Sequence, residues 1–554
     1  MTKRTAALFA LTALGLGAPS AVTFLDIAAR AGVNATIVSG GPKKNYVLEV
    51  NGSGVCWLDY DGDGRLDLYL VNGSTLAHLQ GKTAAAPSHS YLYRNNGNGT
   101  FTDVTLRAGV GGRGWGFGCV AADYDNDGRT DLFISNFGPN ILYRNRGDGT
   151  FADMTAKAGV GGNEIWHAGA AFADTDLDGD LDLFVPGYLE FDSRKPELKT
   201  CEYRGIKVNA CGPLGYPGAP DAFYRNNGDG TFTEATAAAG LADRKLYFGL
   251  QAVFEDFNND GWPDLFVGND SNPNFLYRNK GDGTFEEIGA SSGAAFSADG
   301  KEMSSMGVAV GDYDCDGWMD IFVTTFADDN YILFHNDGDG FFTDVSYPSG
   351  VGEPTVPYLG WAAFFFDYDN DGWPDLFCAN GHVYPEVDGK INERYRQPLQ
   401  LFRNQGKSGK FSEVTREVGL GALPPQSSRG GAYADFDNDG DLDLAVSTMD
   451  GKPMLIENTG GNRDAWLRVR LEGTRANRMG VGARVKVTAG GQSSTQALRA
   501  GESYLSSNDP RLHFGLGSAT EADVEVTWPG GQSQVAKGVS VRRELVLRQP
   551  AGAP

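Results

Sequence analysis

The sequence predicts an all-β protein, namely a seven-bladed β-propeller followed by a small C-terminal β-sandwich-like domain. Three observations support this prediction. A nine-residue acidic loop recurs seven times, short apolar segments that favour strands flank each copy, and the strand missing from the last copy is present at the N-terminus. A chain of 554 residues is long for one ordinary domain but suits a closed ring of repeats.

The repeated loop has the pattern D-x-[DN]-x-D-G-x-x-D, and its first copy spans residues 59–67. Four acidic side chains so close together repel one another unless a cation binds them, and such oxygen-rich loops are typical of calcium sites. An EF-hand would place its last acid at position twelve between helices, so that motif is excluded. One copy could be a plain Asx turn, but seven copies with five fixed positions favour a metal site.

In each loop we expect the side chains at positions one, three, five and nine, and the backbone carbonyl at position seven, to bind calcium. We expect about seven ions with a structural role, and Asn258 keeps an oxygen ligand while removing one charge. The predicted ligands are Asp59, Asp61, Asp63, Arg65, Asp67, Asp123, Asp125, Asp127, Arg129, Asp131, Asp174, Asp176, Asp178, Asp180, Asp182, Asp256, Asn258, Asp260, Trp262, Asp264, Asp312, Asp314, Asp316, Trp318, Asp320, Asp367, Asp369, Asp371, Trp373, Asp375, Asp435, Asp437, Asp439, Asp441 and Asp443.

Each repeat predicts four antiparallel strands. One apolar segment precedes the acidic loop, a second follows it, a third ends at an Asn-Gly or Asp-Gly hairpin turn, and a Phe-x-Asp-Val segment completes the unit. The loops begin 51 to 82 residues apart, which is typical of a propeller or a solenoid. The seventh repeat lacks its fourth strand, and residues 24–27 (Phe-Leu-Asp-Ile) supply one. Closure of this kind favours the propeller.

The domain organisation follows from these patterns. Residues 1–21 resemble a signal peptide, with Lys3 and Arg4 before a short apolar run and small residues after it, although an uncleaved tail is the alternative. We expect the propeller at residues 22–458, the C-terminal β domain at 459–548 and a tail at 549–554. The apolar run is too short to span a bilayer, so we expect secretion to the extracellular space or periplasm and no transmembrane segment.

Charge and cysteine usage narrow the function classes. A net charge of −24 argues against nucleic-acid binding, and much of it lies in the loops. Cys201 and Cys211 form the one close cysteine pair, and an oxidising compartment would allow them to form a disulfide. Cys56, Cys119 and Cys378 lie in apolar segments, where we expect buried thiols. The sixth cysteine, Cys315, is interpreted as a small filler within the fifth loop.

Strand alternation separates the two rims of the predicted ring. The acidic loops share one rim, whereas long insertions at roughly 72–90, 186–221 and 379–398 all follow second strands and therefore lie on the opposite rim. Extra loop length gathered on one face is typical of a binding surface. His382 is the most suggestive residue there, although a lone His is more often structural. The candidate binding residues are Trp166, His167, Tyr216, His382, Tyr384, Glu386 and Arg429.

The repeats resemble the FG-GAP/VCBS family of integrin-α-like propellers, with Phe117-Gly118 and Phe248-Gly249 ahead of their loops. The C-terminal region resembles the ASPIC/UnbV domain through residues 477–484 (Asn-Arg-Met-Gly-Val-Gly-Ala-Arg), 501–504, 512–517 and 528–531. Together, and through the segment from Cys201 to Cys211, they resemble the cartilage acidic protein-like family. The resemblance implies a calcium-stabilised propeller, a C-terminal β domain and an extracellular binding or adhesion role. It implies no catalytic residue.

We therefore expect a secreted, calcium-binding, non-enzymatic module for an extracellular protein or glycan. No catalytic triad, carboxylate pair or nucleotide loop follows from the spacing, so enzyme chemistry is unsupported. One alternative is a polysaccharide-acting lyase or hydrolase, and another, suggested only by UnbV, is an accessory protein in secondary metabolism or envelope assembly. An acidic or His-bearing pocket in the channel would favour the enzyme, and a flat aromatic patch would favour binding. The oligomeric state is open.

Overall fold

The computed structural model describes residues 22–84, 88–162 and 164–551, so the predicted signal peptide at 1–21 lies outside the described residues. Seven antiparallel sheets hold the repeats, each with four strands in its main path, and the fourth sheet carries one extra short strand. This arrangement confirms the predicted all-β propeller fold. The domain boundaries remain predictions.

Each blade contains one acidic loop between its first two strands. In blades one to four, the strands are Val55–Leu58, Asp67–Leu70, Tyr91–Asn95 and Phe101–Asp103; Trp115–Ala122, Asp131–Phe137, Ile141–Asn145 and Phe151–Asp153; Ala171–Ala173, Asp182–Val185, Ala222–Asn226 and Phe232–Glu234; Gly249–Glu255, Asp264–Asn272, Phe275–Asn279 and Phe285–Glu287, with the extra strand Met303–Ser304. In blades five to seven, they are Val308–Gly311, Asp320–Val323, Ile332–Asn336 and Phe342–Asp344; Gly360–Phe366, Asp375–Asn380, Gln400–Asn404 and Phe411–Glu413; Ser428–Ala434, Asp443–Thr448, Met454–Thr459 and Thr23–Asp26.

The N-terminal strand is the fourth strand of blade seven. Thr23–Asp26 pairs antiparallel with Met454–Thr459, and Thr23 lies opposite Thr459. The ring is therefore closed by strands from the two ends of the propeller, which leaves no unpaired edge at this blade.

One asparagine in the third strand of every blade ties that blade to its neighbour. The Asn95 side chain donates a hydrogen bond of 2.7 Å to the backbone oxygen of Phe436, which joins blade one to blade seven. The same side chain-to-backbone bond, 2.8–2.9 Å long, is repeated in the other six blades. The pairs are Asn145–Tyr60, Asn226–Tyr124, Asn279–Thr175, Asn336–Phe257, Asn404–Tyr313 and Asn458–Tyr368. These buried bonds run around the whole ring.

The helices are single turns that connect blades or lie in insertions. The α-helical turns are Ala28–Ala31, Leu76–Leu79, Thr105–Ala108, Thr155–Ala158, Gly289–Ser292, Ser346–Ser349 and Gly352–Thr355, and the 3₁₀ turns are Val47–Glu49, Pro385–Val387, Gly406–Ser408, Leu420–Ala422 and Gly461–Arg463. In the described part of the chain no helix has the length and hydropathy of a membrane span.

The C-terminal region forms two further sheets around its own core. The first contains Leu512–Gly517, Ala465–Glu472 and Arg543–Arg548, and the second contains Gln492–Ala497, Arg484–Ala489, Glu521–Thr527 and Ser533–Ser540. Apolar side chains such as Val485, Val524 and Val526 alternate with more exposed ones along these strands and are buried.

This C-terminal domain lies against the rim that carries the acidic loops, which we call the calcium-loop rim. Arg468 donates to the Asp435 carboxylate of the seventh loop at 2.7 Å, and His513 Nε2 lies 2.8 Å from Asn370 Oδ1 in the sixth. Arg484 donates to the carbonyl oxygen of Gly317 in the fifth loop at 2.7 Å.

Residues 500–508 of the C-terminal domain enter the central channel, and we call them the channel plug. Tyr504, at its centre, has no exposed surface. The plug makes hydrogen bonds or ring contacts with all seven blades, through Val55, Cys119, Phe172, Gln251, Val308, Trp361 and Tyr433. The channel is therefore filled by the chain's own side chains from the calcium-loop rim inward.

The prediction of buried thiols is wrong for Cys56 and Cys119, which form a disulfide. They lie in the first strands of blades one and two, and their Cα atoms are 6.2 Å apart although 63 residues separate them in sequence. Neighbouring first strands line the channel side by side, which brings the two residues together. Cys378 is buried and free, as expected, and Cys201 and Cys211 form a second disulfide.

Candidate functional site

The acidic loops share one backbone conformation. The residue at position four has a left-handed backbone in all seven loops, with φ between 56° and 73°. This residue is Asn or Gly in five loops, Leu177 in the third and Cys315 in the fifth. The position-one carboxylate accepts a hydrogen bond from the backbone N–H at position six in every loop, for example Gly64 to Asp59 at 2.9 Å. The turn therefore folds the acids inward.

The ninth acid of each loop is buried at the junction of three strands. Asp67 accepts hydrogen bonds from the backbone N–H groups of Tyr60 at 3.0 Å and Asn95 at 2.8 Å. Burial, reinforced by neighbouring carboxylates, raises the pKa of Asp67 to about 8 and that of Asp131 to about 9. Acids in this environment are costly to ionise without a counter-charge.

The donor set fits a hard divalent cation. In at least four loops, three carboxylates offer oxygens that all lie within 4.8 Å of one another; one such group is Asp59, Asp61 and Asp67. Eight buried loop oxygens have no hydrogen-bond donor among the described residues, and five of them belong to position three. Those five are the Oδ1 atoms of Asp61, Asp125, Asp176, Asp314 and Asp369. Buried oxygens without donors are suited to metal coordination.

Basic side chains from third strands balance part of the loop charge. Arg94 donates to Asp63 at 2.9 Å, and Arg144 donates to Asp127 at 2.9 Å. In the fifth loop a histidine takes this place: His335 Nδ1 lies 3.2 Å from Asp320 Oδ1, and this bond raises the pKa of His335 to about 9. Repulsion within the loops is therefore reduced by the chain itself but not removed.

The opposite rim carries the three insertions, and we call it the insertion rim. The hairpin formed by Cys201–Tyr203 and Ile206–Val208 reaches the insertion at 379–398: the Tyr203 hydroxyl donates to Glu393 at 3.0 Å, and the Asn209 backbone donates to Glu386 at 3.2 Å. Gln80 of the first insertion donates to the Ser193 carbonyl oxygen at 2.6 Å, so the three insertions contact one another and form one layer on this rim.

A cavity of about 370 Å³ lies beneath this layer. Its walls combine five aromatic rings, the Cys201–Cys211 disulfide, apolar side chains and one acid, Asp270. The aromatic residues are Tyr188, Tyr203, Phe326, Trp361 and Tyr384. Asp270 lies at the far end of the second strand of blade four, away from the calcium-loop rim.

Asp270 and Tyr188 form the polar centre of the cavity. The Tyr188 hydroxyl donates to Asp270 Oδ2 at 2.8 Å, and the Ser271 hydroxyl donates to Oδ1 at 3.0 Å. Burial raises the pKa of Asp270, although the hydrogen bonds act in the opposite direction. A single acid of this kind is short of the carboxylate pair that glycoside hydrolysis uses.

The structure separates the predicted binding residues. Tyr384 lines the cavity. His382 and Arg429 are fully buried behind it. His382 Nε2 lies 2.9 Å from Glu393, and Nδ1 accepts from the Tyr384 backbone at 3.0 Å, so this histidine positions the insertion. Burial lowers the pKa of His382, and it lowers the pKa of Arg429 to about 10.

The remaining predicted residues lie around the cavity. Trp166 is buried, with its ring centroid 4.8 Å from that of Tyr188. His167 is buried beside Asn140, and burial lowers its pKa to about 4. Tyr216 stacks under the Lys199 ammonium group, and Glu386 accepts the hydrogen bond from Asn209.

Sequence reasoning missed the residues at the centre of the cavity. Asp270, Tyr188 and Trp361 lie in different blades, and Trp361 also contacts Tyr504 of the C-terminal domain. Asp270 could have been suspected from its place in the chain. It follows the apolar part of the second strand of blade four and therefore lies at the insertion-rim end of that strand, which is longer than the second strands of the other blades.

Comparisons with known proteins agree with these repeats. Residues 59–134, 123–185, 256–323 and 316–378 match the FG-GAP-like repeat, and residues 473–554 match the ASPIC and UnbV family. Cartilage acidic protein 1 of Xenopus tropicalis is 25% identical over 496 residues, which are 87% of this chain and 62% of the relative. The chain combines FG-GAP-like repeats with an ASPIC and UnbV domain, and the curated relatives that match most of it are cartilage acidic protein 1. The recognition of these repeats from sequence is confirmed.

A second curated relative matches a smaller part of the chain, and the solved structures match it with low TM-scores. The Homo sapiens protein is 31% identical over 277 residues, 49% of this chain and 39% of the relative. The chain thus spans 62% of the length of the Xenopus tropicalis relative and less of the human one.

Among solved structures, an Agrocybe aegerita protein that recognises non-reducing terminal N-acetylglucosamine has a TM-score of 0.38 at 18% identity, covering 66% of this chain and 80% of its own. The exotype rhamnogalacturonan lyase YesX has a TM-score of 0.37 at 14% identity, covering 79% and 75%. Scores at this level carry no information about ligands.

Proposed function

We propose that this protein is a secreted, calcium-stabilised binding module that recognises an extracellular protein or glycan through its insertion rim. The observation that carries the proposal is the division between the rims. The C-terminal domain lies against the calcium-loop rim, for example through Arg468 and Asp435, whereas the insertion rim holds the added loops and the aromatic cavity. Extra loop length on an uncovered face is typical of recognition surfaces.

Calcium would bind the acids at positions one, three, five and nine of each loop. The buried oxygens without donors and the raised pKa values of the ninth acids support this assignment. The ion supplies positive charge where strands one, two and three of a blade meet, so its role in the proposal is structural.

Secretion is supported by the two disulfides, Cys56–Cys119 and Cys201–Cys211, because such bonds persist in oxidising compartments. The expected signal peptide at 1–21 points in the same direction.

The proposal is tested by screening the exported protein against glycan arrays and immobilised extracellular proteins. Leu214 lies in the insertion at 186–221, lines the cavity and is 68% exposed. Val535, in the C-terminal strand Ser533–Ser540, is 53% exposed and serves as the matched control. We expect Leu214→Arg to weaken binding of any hit by roughly tenfold or more, and Val535→Arg to leave it unchanged. If Val535→Arg weakened binding and Leu214→Arg did not, the binding surface would lie on the C-terminal domain and the proposal would be wrong.

A polysaccharide-acting enzyme is the second candidate, favoured by the hydrogen bond between Tyr188 and the buried Asp270. A lyase would generate an unsaturated product that absorbs ultraviolet light. An increase in that absorbance on incubation with acidic polysaccharides, abolished by Asp270→Asn, would establish this candidate over the binding module.

A further inference from the structure

We propose that the cavity on the insertion rim binds an organic ammonium group, held between the Asp270 carboxylate and the rings of Tyr188, Tyr203 and Tyr384. The inference rests on the proposed binding function and names the ligand class for the same rim.

The first argument is charge. Asp270 is only 9% exposed, and its hydrogen-bond donors in the cavity, Tyr188, Ser271 and Ser304, are all neutral. In the part of the chain that the structure describes, the cavity lining contains no Lys, Arg or His. A buried carboxylate without a counter-charge is costly, and a cationic ligand supplies the missing charge.

The second argument is the aromatic wall. The Tyr203 ring centroid lies 5.3 Å from that of Tyr384 and 5.9 Å from that of Phe326, and Phe326 lies 6.2 Å from Tyr384. These rings and Tyr188 line one cavity together with Asp270. Aromatic rings attract organic cations electrostatically, most strongly where water is excluded. The apolar remainder of the lining suits the carbon atoms of such a ligand rather than a bare metal ion.

Arg429 is a buried positive charge that contacts the cavity lining, and its placement limits its effect. Its guanidinium lies 4.0 Å from the Trp361 ring centroid, and it donates to the carbonyl oxygens of Val50 at 2.8 Å and Ser428 at 2.7 Å. It is therefore anchored behind the lining. Because Arg429 already occupies a face of Trp361, we assign the ligand's cation contacts to the tyrosines.

The lining also offers a donor. Asn51 is 3% exposed, and its side chain lies near the Tyr188 hydroxyl, whose pKa it acts to lower, but its Nδ2 atom makes no hydrogen bond of good geometry to a described residue. A ligand that carries an oxygen acceptor beside its ammonium group would satisfy it. The volume of about 370 Å³ is within the range of small-molecule sites.

The test is isothermal titration calorimetry of the full chain with choline and with 3,3-dimethylbutan-1-ol, its neutral isostere. We expect choline to bind at least about tenfold more tightly than the isostere. Asp270→Asn should reduce choline affinity by about tenfold or more, whereas Asp299→Asn, which removes an exposed acid elsewhere, should not change it. Tyr384→Leu provides a second variant that keeps the Asp270 carboxylate, and this variant should also bind choline more weakly.

A second arm uses a peptide with one lysine and its Nε-acetylated form. Binding of the lysine peptide identifies a partner side chain as the source of the ammonium group, and binding of choline alone identifies a free small molecule; both support the inference. Equal affinity for choline and its isostere, or unchanged affinity in folded Asp270→Asn, overturns it. If no ammonium compound binds at about 10 mM but a glycan or protein hit remains sensitive to Leu214→Arg, only the ligand class is wrong.

Discussion

The Tyr504 hydroxyl, supplied by the C-terminal domain, donates a hydrogen bond of 3.0 Å to the backbone oxygen of Asn51 in the propeller. Its ring centroid lies 4.8 Å from that of Trp361, and the side chain is fully buried. The domain therefore lies on the calcium-loop rim, but its channel plug contacts two residues that line the cavity at the insertion rim, Asn51 and Trp361. We infer that the two parts of the chain stabilise each other.

Replacing Tyr504 by Ala should lower the free energy of unfolding by about 3–5 kcal/mol, since it leaves a void among buried aromatic residues. Tyr504→Phe is the matched control: it keeps the ring, loses the bond to Asn51 and should cost only about 0.5–1.5 kcal/mol. Denaturant unfolding of both variants measures the difference. Equal stability of Tyr504→Ala and the unmodified protein would show that the plug is not part of the folded core.

Removing residues 22–33 should destabilise the ring, because Thr23–Asp26 is the fourth strand of blade seven and Phe24 is buried. A chain that begins at residue 22 is the control. We expect the deletion to lower the melting temperature by several degrees and to promote aggregation through the exposed edge of Met454–Thr459. A deletion variant that has the same melting temperature as the control and stays monodisperse would contradict closure of the ring by this strand.

Calcium removal should make stability strongly dependent on pH. The folded-state pKa of Asp67 is about 8 and that of Asp131 about 9, both above the unfolded value of roughly 3.9. Between these values the metal-free folded state binds more protons than the unfolded state, so its stability should fall as pH rises from about 4 towards 8–9.

Melting temperatures recorded at pH 5, 6.5 and 8, with chelator or with about 1 mM calcium, test this expectation. Calcium should raise the melting temperature most at the highest pH, because it binds the ionised carboxylates. Parallel curves with and without calcium would argue against metal binding by the ninth acids.

Breaking the Cys56–Cys119 disulfide should cost more stability than breaking Cys201–Cys211. The first bond closes a separation of 63 residues between two blades, and the second closes only 10 within one insertion. We expect a Cys56→Ala, Cys119→Ala double variant to lose about 2–4 kcal/mol in denaturant unfolding. The Cys201→Ala, Cys211→Ala variant should lose less, and the opposite ranking would count against a constraint between blades.

Local sequence patterns predicted much of the fold. Each acidic loop has its own spacing, its glycine and its flanking strand-forming residues within a few positions, so loops such as 59–67 could be recognised from these local signals and their sevenfold repetition. The missing fourth strand of blade seven was also visible, because strand and turn signals are local and the repeat shows what is absent. The third-strand asparagines were visible as a repeated residue, but their bonds between blades were not.

Contacts between distant parts of the chain were decided by the tertiary structure. The pairing of Cys56 with Cys119 depends on two first strands lying side by side around the channel, and neither residue carries a local signal for it.

The repeat can be read from the residues alone: the acidic loops, the strands around them and the closure of the ring by residues 24–27. The tertiary structure alone decided the cavity, since Asp270, Tyr188 and Tyr384 come from three blades and Tyr504 of another domain contacts two of its lining residues. The physical reason is that the alternation of side chains along a strand and the residue preferences of turns depend on residues a few positions apart, whereas the chemistry of a cavity depends on side chains that only the closed ring brings together.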